Sequence, residues 1–161
     1  MRNRAVLAAV IVLGLLFVGC GNDEPPATTE SGAEATTPAP AAGGEVLISA
    51  VEYEFDLADS YAAGTTTFTL VNNGEEKHFI DIVKLTDDAP PVAELIELPD
   101  KKVGQYFEGQ PNHIDPVKPG ETSEPMEVEL EPGRYGYVCF FGAKGEPPHA
   151  FLGMAGEFTV E

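Results

Sequence analysis

Tryptophan is absent from this chain of 161 residues, and cysteine, histidine and the basic residues are scarce: there are two cysteines, three histidines and nine lysines and arginines. Against those nine stand 27 aspartates and glutamates, which gives a formal net charge of −18. A surface this acidic would repel phosphate backbones, so we expect no nucleic-acid partner. The acidity favours either plain solubility or attraction of a basic partner protein, and the composition leaves both open.

Long apolar runs are also missing, except for residues 5–18 near the start of the chain. This run follows Arg2 and Arg4 and is shorter than the roughly 20 apolar residues that span a bilayer. Such a layout is typical of a secretory signal peptide. Residues 17–20, with the sequence FVGC, resemble the lipobox of bacterial lipoproteins, in which the cysteine is diacylated and becomes the first residue of the mature protein.

This resemblance implies a signal peptide over residues 1–19 and a lipid on Cys20. An uncleaved N-terminal anchor helix is the alternative, and both place the remaining chain outside the cytoplasmic membrane, on the periplasmic side or the outer face. Residues 21–44 contain no Val, Ile, Leu, Met or aromatic residue, so they cannot bury enough apolar surface to offset chain entropy. We therefore predict a lipid-anchored, disordered linker over residues 20–44.

Residues 45–161 have the pattern of one β-rich domain. Short apolar stretches such as residues 65–72 are separated by turn residues, and apolar residues alternate with glutamate over residues 126–131. Seven or so strands at this spacing predict an all-β, Greek-key β-sandwich. We expect a short helix after the proline pair at 90–91, in a crossover loop, and irregular structure over residues 104–119.

Cys139 is the second cysteine, and it has no disulfide partner if Cys20 carries a lipid. An idle thiol in an exported protein is exposed to oxidation, and metal ligation explains its presence because the thiolate is then held. His149 and Met154 follow on the same loop, and His78 stands at the start of an earlier strand. Two imidazoles, a thiolate and a thioether suit copper, whereas Ca²⁺ would take oxygen ligands.

The end of the chain resembles the copper loop of cupredoxins. Residues 132–139 read PGRYGYVC, a histidine follows at 149, and residues 153–156 read GMAG before a last strand. The stretch VNNG at 71–74, with the histidine at 78, is similar to the segment that carries the first histidine ligand in that family. The resemblance covers residues 46–161.

From this resemblance we expect a cupredoxin-like sandwich that binds one type 1 (blue) copper ion. Carried over by position, His78, Cys139 and His149 are the trigonal ligands and Met154 is the long axial ligand. Apolar neighbours of these ligands are expected to keep water from the metal; they are Phe140, Phe141, Phe151 and Leu152. Phe79 departs from the family pattern, because many relatives have an asparagine there that braces the thiolate loop.

The function implied by the resemblance is a one-electron carrier between extracytoplasmic redox partners, with an exposed edge of His149 passing the electron. We expect a monomer, with a redox partner protein that is basic if the acidic surface attracts it. A copper delivery or storage lipoprotein and a metal-free interaction module remain as alternatives. An enzyme is not expected, because multicopper oxidases and nitrite reductases need further histidine clusters and this chain has three histidines in all.

Three further residues are assigned structural positions. His113 is expected to be exposed in the irregular segment, and Met126 is expected to be a core residue of a strand. Tyr135 is the better candidate of the two tyrosines in its strand for a corner hydrogen bond of the kind seen in sandwiches.

Overall fold

The computed structural model describes residues 44–161. The predicted signal peptide, the lipid site Cys20 and the linker up to residue 43 lie outside this part of the chain. The strands that follow are β1 (Glu45–Val51), β2 (Glu54–Asp56), β3 (Ser60–Tyr61), β4 (Gly64–Asn72), β5 (His78–Leu85), β6 (Phe107–Val117), β7 (Met126–Leu130), β8 (Gly133–Val138) and β9 (Ala155–Val160). None of the helices within residues 44–161 has the length and apolar character needed to cross a membrane.

The strands form two sheets, and the chain passes repeatedly between them. One sheet has the order β2-β1-β4-β7 and the other has the order β3-β9-β8-β5-β6. Inward-facing side chains from both sheets make the core, which includes Ile48, Phe68, Leu70, Ile80, Ile82, Leu130 and Phe158. The predicted all-β sandwich is confirmed by this two-sheet architecture.

Strand β5 contributes side chains to two apolar clusters, and its last residues are buried on both faces. His78, Ile80 and Ile82 alternate into the sandwich, whereas Val83 and Leu85 belong to a second apolar cluster. That second cluster is covered by a helical segment that contains α1 (Val92–Leu95), α2 (Asp100–Val103) and a 3-10 turn (Gly104–Tyr106). Because side chains alternate between the two faces of a strand, His78 points into the sandwich, as Ile80 and Ile82 do.

The helix after the proline pair is confirmed, but the idea that it belongs to a crossover loop is wrong. Strands β5 and β6, which the helical segment connects, are antiparallel neighbours in one sheet. The segment therefore connects two neighbouring strands of one sheet and does not cross to the other sheet. It packs through Val92 and Leu95, both buried.

The expectation that residues 104–119 are irregular is also wrong, because most of them form the 11-residue strand β6. Only Ile114 and Val117 of this strand are buried, so the apolar alternation that marks a half-buried strand is missing. Within residues 44–161 the strand lies at the edge of its sheet and pairs with β5 alone. Prolines are tolerated at such an edge, where one row of amides has no ladder partner.

The predictions for Tyr135 and Met126 are confirmed, and the prediction for His113 is confirmed for its exposure but not for its irregular surroundings. The hydroxyl of Tyr135 accepts a hydrogen bond from the backbone N–H of Glu131 at 3.0 Å, as expected for a corner tyrosine. Met126 packs against the main core. His113 is exposed, but it lies on strand β6 and its Nδ1 is 2.7 Å from a carboxylate oxygen of Asp81.

Candidate metal centre

Antiparallel pairing brings the predicted ligands to one end of the sandwich. Strand β8 lies between β5 and β9 and runs antiparallel to both, so its end meets their starts. His78 is the first residue of β5, and Cys139 directly follows β8. Met154 directly precedes β9, and His149 opens the 3-10 turn His149–Leu152 just before it. Three residues of one loop, and a histidine 61 positions before the first of them, thus lie at the ends of neighbouring elements.

Three of the four form a compact donor cluster. The Nδ1 atoms of His78 and His149 are 3.1 Å apart, and the Sγ of Cys139 is 3.8 Å from Nδ1 of His149. All three donor atoms lie within 4.8 Å of one another. Nitrogen and sulfur donors about 2.0 to 2.3 Å from a shared ion lie about 3.3 to 3.7 Å apart at angles between tetrahedral and trigonal. The two separations of 3.1 and 3.8 Å lie within about 0.2 Å of this range, which is close enough for one shared metal ion. A thiol with two imidazoles is the donor set of a trigonal copper site.

The loop that carries three of these residues is closed by backbone hydrogen bonds. The N–H of Cys139 donates to the carbonyl of Met154 at 2.9 Å, and the N–H of Met154 donates to the carbonyl of His149 at 3.0 Å. The N–H of His149 donates to the carbonyl of Phe141 at 2.7 Å. Met154 is fully buried beside the cluster, and its place as the axial ligand stays a prediction.

Burial sets the protonation of two cluster residues. Burial raises the pKa of the Cys139 thiol, and the backbone N–H groups of Phe79 and Phe141, which bond to it, only partly oppose this. Burial lowers the pKa of His78, against the attraction of Glu52. The cluster is thus a neutral thiol with a histidine that favours its neutral form, and a bound metal must displace the thiol proton.

The sequence expectation of an exposed His149 edge is wrong. Its side chain is only 2 % exposed, and its Nε2 is 2.7 Å from a carboxylate oxygen of Glu76. The rings of Tyr53 and Phe141 make T-shaped contacts with its imidazole, at centroid distances of 4.9 and 5.6 Å. Residues from the turn between β1 and β2 and from the loop before β5 therefore cover the side from which we expected electron exchange.

His78 has the same kind of partner on its outer nitrogen. Its Nε2 is 2.9 Å from a carboxylate oxygen of Glu52, in the turn between β1 and β2. Sequence reasoning missed both glutamates. Glu76 lies two residues before His78, but Glu52 lies 26 residues before it, and no local pattern connects them.

The apolar neighbours of the cluster divide into two groups. Phe141 packs against the core and faces His149, as a water-excluding residue should. Phe140, Phe151 and Leu152 are instead 44 %, 44 % and 42 % exposed. These three side chains form an apolar patch next to the cluster, and Phe140 and Phe151 also line a cavity of about 530 Å³ beneath the helical segment.

Comparison with known proteins gives matches only among solved structures. No family model matches the chain, and no curated protein does. Among the solved structures, auracyanin from Roseiflexus castenholzii is 23 % identical, with 75 % of this chain and 99 % of that one covered and a TM-score of 0.49. Auracyanin A, a "blue" copper protein from Chloroflexus aurantiacus, is 20 % identical, with 74 % and 100 % covered and a TM-score of 0.49.

Auracyanin B is 18 % identical, with 76 % of this chain and 91 % of that one covered and a TM-score of 0.49. The matches also include a multicopper oxidase and a copper-containing nitrite reductase. Independently of these matches, the described residues form a two-sheet β-sandwich in which His78, Cys139 and His149 lie in position to bind one metal ion.

Proposed function

We propose that this chain is a type 1 copper protein that carries one electron at a time, with His78, Cys139 and His149 as trigonal ligands and Met154 as the axial ligand. The observation that carries the proposal is the donor set itself: two imidazole Nδ1 atoms and one thiol Sγ, buried together within 4.8 Å. When bound, copper supplies a Cu(II)/Cu(I) couple.

The protein's part is to hold its donors in one arrangement for both oxidation states. The cluster residues are 1 % exposed or less, so water is excluded from the donor atoms. The backbone hydrogen bonds from Cys139 and His149 hold the loop that carries these donors in place. A site with donors fixed in this way requires little rearrangement when one electron arrives or leaves.

The proposed route for the electron runs through the apolar patch of Phe140, Phe151 and Leu152 to a redox partner protein. Cys139 is bonded directly to Phe140, and the ring of Phe140 contacts that of Phe151 at a centroid distance of 6.2 Å. The net charge of −18 supports a basic partner. We further propose that a lipid on Cys20 tethers the domain to the extracytoplasmic side of a membrane.

The test is to purify the chain, add Cu(II), and record its visible and electron paramagnetic resonance spectra. We expect an intense band in the orange-red and a narrow copper hyperfine splitting. The Cys139→Ser variant should lose the band, whereas the His113→Asn variant, which changes a histidine outside the cluster, should keep it. A colourless wild-type protein would rule out the proposal. Mass spectrometry of the membrane fraction tests the lipid, and an unmodified Cys20 would exclude the anchor.

A copper delivery or storage protein is the second candidate. The observation that favours it is that a glutamate covers the Nε2 atom of both cluster histidines, so neither His78 nor His149 presents a free edge for electron exchange. Stopped-flow oxidation of the Cu(I) protein by a small cobalt complex separates the two. Fast exchange supports the carrier, and tight Cu(I) binding with very slow exchange supports delivery or storage.

A further inference from the structure

Each imidazole of the cluster has a carboxylate on the nitrogen that faces away from the metal position. Nε2 of His78 is 2.9 Å from Oε1 of Glu52, and Nε2 of His149 is 2.7 Å from Oε2 of Glu76. A carboxylate accepts hydrogen bonds, so the Nε2–H of each ring donates to it and the Nδ1 lone pair is left for the cluster. The two glutamates thus select the tautomer that a shared metal ion requires.

Glu52 is itself held in place by the loop that it faces. Its Oε1 also accepts hydrogen bonds from the backbone N–H groups of Glu75 and Glu76, at 2.9 and 2.8 Å. A side chain at Gly74 would overlap the Glu52 carboxylate, which explains the glycine there.

Glu76 is positioned through its own backbone. Its carbonyl accepts a hydrogen bond from Nδ2 of Asn72 at 2.7 Å, and Asn72 is fully buried. The side chains of Glu52 and Glu76 are 24 % and 34 % exposed, so solvent screens their charges only in part. Two fixed negative charges therefore stand one imidazole ring away from the place where the metal changes its charge by one.

We propose that Glu52 and Glu76 are positioning residues that hold both Nδ1 atoms toward the metal and favour Cu(II) over Cu(I), which lowers the reduction potential. This inference rests on the proposed copper function. A carboxylate that accepts from a ligating histidine makes the ring a stronger donor, and such partners commonly change metal affinity tenfold or more. The more highly charged Cu(II) gains more from this than Cu(I) does.

The test compares Glu76→Gln and Glu52→Gln with Glu75→Gln in the full chain, purified in detergent and loaded with Cu(II). Glu75 is the matched control because it is adjacent to Glu76 and its replacement removes the same charge. Its side chain is exposed and makes no hydrogen bond among the described residues. We expect Glu76→Gln to shift the Cu(II)-to-Cu(I) affinity ratio about tenfold toward Cu(I), which corresponds to a potential about 59 mV higher. Glu75→Gln should shift the ratio less than threefold.

The readouts are the reduction potential and the visible spectrum, together with the melting temperature of the metal-free protein. If Glu52→Gln does not fold because three hydrogen bonds end on that side chain, Glu76→Gln decides, since the loop contacts of Glu76 are made by its backbone. A blue wild-type protein whose Glu76→Gln potential matches that of Glu75→Gln overturns this inference and leaves the copper function standing. A wild-type protein that gives no blue site overturns both.

Discussion

Asn72 joins three segments around the candidate metal centre, and its replacement by alanine should be costly. Its Nδ2 donates to the carbonyls of Glu76 and Val117 at 2.7 and 2.9 Å, and its Oδ1 accepts from the N–H of Gly74 at 2.9 Å. The side chain is fully buried. Water cannot easily replace these bonds once the amide is removed.

The expected loss follows from the number of bonds. Three hydrogen bonds at about 1 kcal/mol each give a loss of about 3 kcal/mol in the free energy of unfolding. For a domain of this size, about 4 °C per kcal/mol converts this into a fall of about 12 °C in melting temperature. The alanine variant also leaves buried carbonyls without donors, which adds to the loss rather than reducing it.

The assay is urea denaturation of the metal-free protein, followed by circular dichroism, for wild type, Asn72→Ala and Asn73→Ala. Asn73 is the matched control because it is the adjacent asparagine and its only side-chain bond, to Ser49 at 2.8 Å, is exposed. We expect Asn73→Ala to change the free energy of unfolding by less than about 0.5 kcal/mol. Equal losses in the two variants would refute the reasoning, because burial would then make no difference.

Two further predictions concern Gly153, which precedes Met154, and Lys84 on strand β5. Gly153 has a φ of +132° and a Cβ there would lie 2.7 Å from the carbonyl oxygen of Tyr53, so Gly153→Ala should lose about 2 to 3 kcal/mol by urea denaturation. Gly145→Ala, with a φ of +97° and open space around it, should lose only about 1 kcal/mol; equal losses would contradict the contact argument. The carboxylates of Glu131 and Glu108 raise the pKa of Lys84 to about 12. The stability from these ion pairs should be complete below pH 10.5, the value of the unfolded lysine, and should fall as the pH rises toward 12. Urea denaturation of wild type and Lys84→Met at pH 9 and pH 11.5 measures the stability that these ion pairs contribute. A difference between the two proteins that is the same at both pH values would contradict the prediction. Lys118→Met, which removes an exposed ion pair, is the control.

The parts of the structure that the sequence predicts are those with a local signal. Glutamate alternates with Met126, Val128 and Leu130, and that alternation predicts β7 because one face of the strand is buried and the other is not. Cys139 and His149 are predicted because the residue spacing along their loop is a local signal, and His78 is predicted from a second local signal, the stretch VNNG at 71–74.

The failures have physical causes. Strand β6 has one partner strand and two buried residues, so its sequence carries little of the period of two. The burial of His149 depends on Glu76, which lies 73 residues away in sequence. The role of Glu52 likewise depends on how the turn between β1 and β2 meets the loop before β5. Such contacts arise from the arrangement of the two sheets and produce no recognisable pattern among residues that are adjacent in sequence.

The edge strand β6 also bears on how the domain behaves among copies of itself. An exposed edge of 11 residues offers a row of unpaired amides and carbonyls on which a second chain could add a strand. Pro111 and Pro116 remove two amide donors from this strand, and the carboxylates of Glu108 and Asp115 are placed along it. Strand addition there would bring like charges together and would leave gaps in the hydrogen-bond ladder. We therefore expect the prolines and acidic residues that obscure the strand pattern of β6 also to disfavour edge-to-edge association.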